Sequence, residues 1–202
     1  MITIIDYKSG NLRSISNGFK KLKQEVEITS DIDKIANTEY LVLPGVGAFG
    51  TAMSNLEPFN KGIHEHVNDD KPFLGICLGQ QVLLSSSDEA KGVNGLNLFD
   101  GHAEKIPEGR KIPHMGWNQL NVSKKSPILE GVDKKFFYFV HCYHVIPEDE
   151  EIIAGTCDYG AEVVASLSRN NLFSTQFHPE KSGKQGLKIL KNFINLKWGN
   201  YD

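Results

Sequence analysis

The sequence predicts an α/β fold, a mostly parallel sheet flanked by helices with antiparallel strands in its C-terminal half. Two observations predict it. Short apolar runs alternate with amphipathic segments through the first part of the chain, as in strand–helix units that build a parallel sheet. After about Asn97 the texture changes, and strand-like runs follow one another with only turn residues between them.

Taken in order, "ITIID" is an apolar strand, and "NLRSISNGFKKLK" places Leu12, Ile15, Phe19 and Leu22 on one face of a helix. "VEIT", "YLVLP" and "PFLGIC" are further short strands. The segment from Thr51 to Asn68 is predicted helical, as is "LGQQVLLSSS". In the second part "WNQLNVS", "FFYFVHCYHV", "EIIAGTCDYG", "EVVASLS" and "LFSTQFHP" read as strands, with Arg169, Asn170 and Asn171 at the tip of a hairpin between the last two. "KQGLKILKNFINLKW" closes the chain as a helix, with Leu187, Leu190 and Ile194 at helical spacing. No internal repeat and no linker rich in Pro, Gly or Ser divides it, so residues 1–202 are expected to form one domain.

At 202 residues, 40% of them hydrophobic, the chain is long enough to bury an extensive core without disulfides or metals. A formal net charge of −3 gives no electrostatic case for nucleic acid. Three cysteines without framework spacing point to a reducing compartment. "MITIID" opens a strand with no charged leader or apolar signal core, and no run reaches the roughly 20 apolar residues of a membrane span. The expectation is a cytoplasmic protein that binds neither membrane nor nucleic acid.

The chemistry begins at "GICLG". Cys77 stands between Gly75 and Gly79 where a strand turns into a helix, the cysteine counterpart of a nucleophile elbow. Glycines on either side make room for a tight, strained turn, and the side chain then projects above the carboxyl ends of the strands. A helix starting at Leu78 turns free N–H groups toward the sulfur, favouring thiolate, and the Leu78 N–H is placed to stabilise an oxyanion. The competing reading is a buried cysteine that packs as a small hydrophobe. Cys142 and Cys157 lie within strand-like runs and read as packing residues.

A catalytic cysteine needs an imidazole. Of seven histidines, His64 and His66 read as surface residues of a helix and His102 as isolated, while His114, His141 and His144 adjoin aromatics and suit a cleft. His178 differs because "HPE" follows it with Glu180, two residues on across a proline. In extended chain those two side chains share a side, so Glu180 fixes one ring nitrogen and leaves the other for a thiol. Alone, "HPE" is an ordinary polar turn; with "GICLG" it completes a triad. Neither CxxC nor HExxH is present, so no metal and no cofactor are expected. "GVGAFG" matches G-x-G-x-x-G at Gly45, Gly47 and Gly50, but a proline precedes it and no ribose-binding acid ends a following strand. It reads better as a glycine loop beside Cys77 whose N–H groups complete an oxyanion hole.

With "GICLGQQ" and "HPE" in place, the sequence resembles the class I (triad) glutamine amidotransferases, which implies their flavodoxin-like single-domain fold. More narrowly, "DYKSGNLRS", "LPGVGAFG", "KIPHMGWNQL", "YFVHCY" and "QFHPEKSG", in order from residue 6 to residue 183, resemble the glutaminase subunits of imidazole glycerol phosphate synthase. The resemblance implies Cys77 as nucleophile, His178 as acid and base, and Glu180 as its orienter. It implies that Gln81, Cys142 and Tyr143 hold glutamine, that Val46 and Gly47 form the loop that turns an N–H to the oxyanion, and that Asn11, Trp117, Tyr138 and Lys181 meet a partner, Lys181 through a carboxylate. Gln80 stands where the family usually has methionine, and Cys142 where it has serine or threonine.

The implied reaction is hydrolysis of glutamine to glutamate and ammonia, with ammonia passed to a separate (βα)8 cyclase subunit in a heterodimer. The cyclase would release imidazole glycerol phosphate and an aminoimidazole carboxamide ribonucleotide in histidine biosynthesis. Turnover is expected to be low alone and stimulated when the partner carries its nucleotide ligand. Two rival readings are the same glutaminase feeding a sugar-modifying synthase of surface-polysaccharide pathways, and a non-catalytic binding protein on an amidotransferase fold. A thioesterase using the same corner is a third.

Overall fold

The computed structural model describes residues 1–107 and 111–197; Trp198, quoted in the closing helix, lies outside them. In chain order the elements are β1 (Ile2–Ile5), α1 (Leu12–Lys21), β2 (Val26–Thr29), α2 (Ile32–Asn37), β3 (Tyr40–Leu43), α3 (Phe49–Leu56), α4 (Asn60–Asn68), β4 (Phe73–Ile76) and α5 (Leu78–Gln81). There follow β5 (Ser86–Ser87), β6 (Gly101–Lys105), β7 (His114–Gln119), β8 (Asn121–Val122), β9 (Phe136–His141) and β10 (Tyr143–Pro147). The last are β11 (Ile153–Asp158), β12 (Glu162–Arg169), β13 (Leu172–Thr175) and α6 (Gly183–Ile194).

The main sheet runs β2-β1-β3-β4-β13-β12-β11-β8. Its first five strands are parallel and the remaining pairings antiparallel, as the two textures of the sequence predict. Strand alternation divides the apolar residues between two cores. Ile2, Ile4, Val42, Leu74 and Ile76 pack with α1 and α6 through Ile15, Phe19, Ile189 and Phe193. Ile5, Leu41, Leu43 and Phe73 pack with α2, α3 and α4 through Ile35, Phe49, Leu56 and Ile63. Burial on both faces is why these strands read as continuous apolar runs.

Two small sheets stand beyond the main one: an antiparallel ribbon β7–β9 and a three-stranded sheet β10-β6-β5. "FFYFVHCYHV", read as one strand, is therefore two strands in different sheets, broken at Cys142. "LGQQVLLSSS" is helical for one turn only. The carbonyls of Val82, Leu83 and Leu84 are taken instead by N–H groups of Leu96, Leu98 and Asn97, so that loop ends the helix. The Thr51–Asn68 prediction holds with an earlier start at Phe49 and a 3-10 turn at Glu57–Phe59 around Pro58. Among the described residues, no helix is long and apolar enough to cross a membrane.

Strand order reverses between β1 and β3, since the chain passes from β1 outward to β2 and then back across to β3 and β4. Crevices open outside the carboxyl ends of strands at such a switch point. The loops after β1, β3, β4 and β13 all emerge there.

Candidate active site

Cys77 follows β4 with φ 58° and ψ −111°, a conformation that costs an L-residue on the order of 1–3 kcal/mol. Neighbouring strands hold it there: the Cys77 N–H donates to the Thr175 carbonyl at 2.7 Å, carrying the β4–β13 register one residue further. The flanking glycines are required by contact. A Cβ on Gly79 would lie 2.2 Å from the Leu43 carbonyl oxygen, and one on Gly75 would lie 2.7 Å from the Gly79 oxygen. Gly45 presses on the same corner, with 2.6 Å from its added Cβ to the Gly79 nitrogen, which accounts for the first glycine of "GVGAFG". The Leu78 N–H opens α5, where no intrahelical acceptor exists.

His178 arrives from the adjacent strand. Its N–H donates to the Tyr138 carbonyl at 2.9 Å, and Nδ1 donates to Glu180 Oε1 at 2.8 Å, with both side chains buried. The geometry differs from the extended-chain expectation: Pro179–Lys181 is a 3-10 turn that folds Glu180 back beneath the ring. Helix α1 packs against Glu180 at Gly18, where an added Cβ would lie 3.7 Å from the Glu180 Cβ. Burial pushes the His178 pKa down, but Cys77 and then Glu180 more than reverse it, raising it to about 9. Among the described residues His178 Nε2 is buried with no hydrogen-bond partner.

The sulfur opens on a cavity of about 340 Å³. Every residue assigned to the oxyanion or to glutamine lines it: Val46, Gly47, Leu78, Gln81, Cys142 and Tyr143. Ser9 holds the Val46 peptide, donating to its carbonyl at 2.6 Å and accepting its N–H at 3.3 Å, while Gly47 takes φ 100° in open space. Gln81 Nε2 donates to the Tyr143 carbonyl at 3.0 Å and to Gln176 Oε1 at 3.1 Å; Gln176 Nε2 in turn lies 3.7 Å from Cys77 Sγ.

Of the residues assigned to a partner, Trp117, Tyr138 and Lys181 gather at the ribbon β7–β9. Trp117 and Tyr138 are register partners with rings 6.2 Å apart, and Lys181 Nζ stands 5.9 Å over the Tyr138 ring. Asn11 caps α1, its side-chain oxygen accepting the Ser14 N–H at 3.2 Å. Met115 and Phe136 extend the exposed face. Cys157 is a packing residue as expected, its thiol pushed up to about 12 by burial. Cys142 instead sits at the break between β9 and β10 and lines the cavity.

Sequence reasoning missed four side chains. Gln176 carries a signal, two residues before His178 in "QFHPE". Glu89 comes from a loop without pattern; Oε2 accepts the Phe49 N–H at 2.8 Å, and the side chain lines the cavity. Ser9 was quoted only within a longer motif, and His141 only as one of three aromatic-flanked histidines. His66, read as exposed, is fully buried, with Nε2 3.1 Å from the Pro72 carbonyl oxygen, and its pKa is lowered to about 4 by burial.

A thiol on a strained corner, beside an imidazole gripped by a buried carboxylate, is the arrangement of a cysteine hydrolase. The family model for glutamine amidotransferase class-I matches residues 3–196, and the chain belongs to that family. Its relatives within the family include imidazole glycerol phosphate synthase subunit HisH of Methanothermobacter thermautotrophicus, 52% identical over 97% of this chain and 98% of that one. The protein of the same name from Methanocaldococcus jannaschii is 48% identical over 97% and 100%. Among solved structures, PurLQS from Thermotoga maritima has a chain with the same fold at 18% identity, TM-score 0.75, over 96% of this chain and 97% of that one.

Proposed function

We propose that this chain is the glutaminase subunit of imidazole glycerol phosphate synthase, one amidotransferase domain working in the cytoplasm on L-glutamine. The observation that carries the reading is Cys77 on its strained corner beside the His178–Glu180 pair. With His178 holding the proton, Cys77 attacks the side-chain amide as thiolate. The oxyanion falls to the N–H groups of Leu78 and of the Val46–Gly47 loop, which must turn a peptide toward it. His178 Nε2 protonates the departing nitrogen, ammonia leaves, and water deprotonated by His178 hydrolyses the thioester to glutamate. Glu180 keeps the proton on Nδ1 and steadies the imidazolium throughout. Gln81, Cys142 and Tyr143 hold the substrate, and the cavity-facing carboxylate of Glu89 suits its α-ammonium.

Ammonia released to water near neutral pH takes up a proton and ceases to be a nucleophile, so a subunit of a synthase serves best by delivering it directly. We assign the receiving role to a (βα)8 cyclase docked on the face of Trp117, Tyr138 and Lys181. Among the described residues no carboxylate pairs with Lys181, which leaves its charge for one on the partner. The test is Cys77→Ala in the complex with the cyclase. Glutamine-driven synthesis should be lost while synthesis from added ammonium salt continues. Loss of both, or survival of both, overturns the assignment.

A further inference from the structure

Behind the cavity lies a chain of hydrogen bonds whose two ends are fixed by backbone groups. Asn118 Oδ1 accepts the Gln119 N–H at 2.7 Å and its Nδ2 donates to the Asp158 carbonyl at 2.8 Å, so the amide orientation is settled at both ends. The same Nδ2 is 3.3 Å from His114 Nε2. A donor facing Nε2 makes that nitrogen an acceptor, so a neutral His114 carries its proton on Nδ1. His114 Nδ1 is 3.0 Å from His141 Nε2, which must therefore accept. The His141 proton then resides on Nδ1, 2.8 Å from the Tyr143 carbonyl oxygen, an acceptor by nature. Started from the Tyr143 end, the same logic returns the same two protons.

Packing holds the rings in place. His114 is sandwiched between Phe139 and Tyr159, with ring centres 4.7 Å and 3.9 Å away, and Tyr159 is itself anchored by its hydroxyl to the Lys111 carbonyl at 2.8 Å. His141 lines the cavity beside Val140, whose carbonyl is 3.8 Å from Cys77 Sγ. The Tyr143 carbonyl sits just past Cys142, where the chain crosses from the ribbon into the three-stranded sheet.

We propose that His114 and His141 are a locked pair of neutral imidazoles that pins the Tyr143 carbonyl, and with it the Cys142–Tyr143 wall of the glutamine cavity, while leaving His178 to carry the proton there. His114 and His141 are positioning residues; neither touches the reacting atoms. The inference rests on the glutaminase reading for its substrate, but the placement of the protons does not. Titratable groups facing His141 are the imidazoles of His114, His144 and His178, so a charge on His141 would oppose one on His178. Burial lowers the pKa of His114 to about 4 and of His141 to about 3, in the same direction as the bonding demands.

The experiment is nitrogen-15 NMR of histidine-labelled full chain, which distinguishes Nδ1–H from Nε2–H rings, together with kinetics in the cyclase complex. Both His114 and His141 should be Nδ1–H at pH 7; an Nε2–H at either overturns the pair. His141→Leu should raise KM for glutamine about tenfold with a smaller change in kcat, the loss of one buried hydrogen bond. His141→Asn, whose Nδ2 reproduces the Nδ1 donor, should restore KM to within about threefold of the parent. Asn118→Ala, at the outer end, tests the chain without touching the cavity and should give mixed tautomers at His114. Correct protons with KM unmoved by His141→Leu would refute the positioning role. Correct protons with no glutamine turnover in any protein would refute the glutaminase reading and leave the pair standing.

Discussion

Glu180 is the smallest unit on which the proposed chemistry turns. Its carboxylate is sealed from solvent, with one oxygen on His178 and the other without a partner among the described residues, and so acts on a single imidazole. Because the folded His178 pKa is raised to about 9, its contribution to stability is complete below its ordinary value near 6.5 and declines as pH rises through about 9. Glu180→Gln should shrink that decline, measured as denaturant midpoints at pH 6.5 and pH 9.5. The same change should lower kcat on the order of 10⁴-fold, by analogy with removal of an orienting carboxylate from other triads. An unchanged pH dependence would mean that another group titrates. At this scale the candidate site of Cys77, His178 and Glu180 was legible in the sequence, because "GICLG" and "HPE" each carry a local reason for their residue types. Gln176 and Glu89 were not, because a lone polar side chain shows its partner only once distant strands and loops are brought together.

One scale up, α5 and the loops around it form a wedge of close backbone contacts. The Gly79→Ala substitution drives a Cβ against the Leu43 carbonyl, a backbone atom of a central strand that cannot give way. It should cost about 1–3 kcal/mol of stability by urea titration, the range for overpacking and strain in a core. A value near zero would show that the corner is looser than it looks. Element boundaries were the least legible part of the fold. The continuous run "FFYFVHCYHV" has no glycine or proline to mark its break, and Cys142 ends one sheet only because different partner strands lie on either side. Likewise "LGQQVLLSSS" has helical composition, and what shortens it is competition for its carbonyls from a loop more than ten residues away in sequence. Strands buried on both faces, by contrast, announced themselves as unbroken apolar runs.

For the whole molecule, the decisive feature is a ribbon with two unlike faces. Phe137 and Phe139 of β9 point into the core, while Met115, Trp117 and Phe136 remain more than half exposed on the other side. Alternation along a strand produces this, and an exposed cluster of large apolar side chains rimmed by Lys181 is the kind of surface a partner covers. Trp117→Ala should weaken the complex with the cyclase about tenfold or more, as truncation of a central aromatic does, without changing the denaturation midpoint of the isolated chain. Isothermal titration of the two subunits measures it, and an unaltered affinity would move the docking surface elsewhere. The sequence placed these aromatics at a partner surface by resemblance alone. Only the register Trp117↔Tyr138 shows them sharing one face.

The backbone of Cys77 has an implication for how such a chain drifts over generations. Glycine would occupy that dihedral without penalty, whereas any other L-residue pays for its Cβ. A lineage rewarded solely for heat resistance would therefore exchange the entire side chain for a hydrogen. A side chain in this uncomfortable pose adds nothing to robustness, and it is what the proposed nucleophile requires.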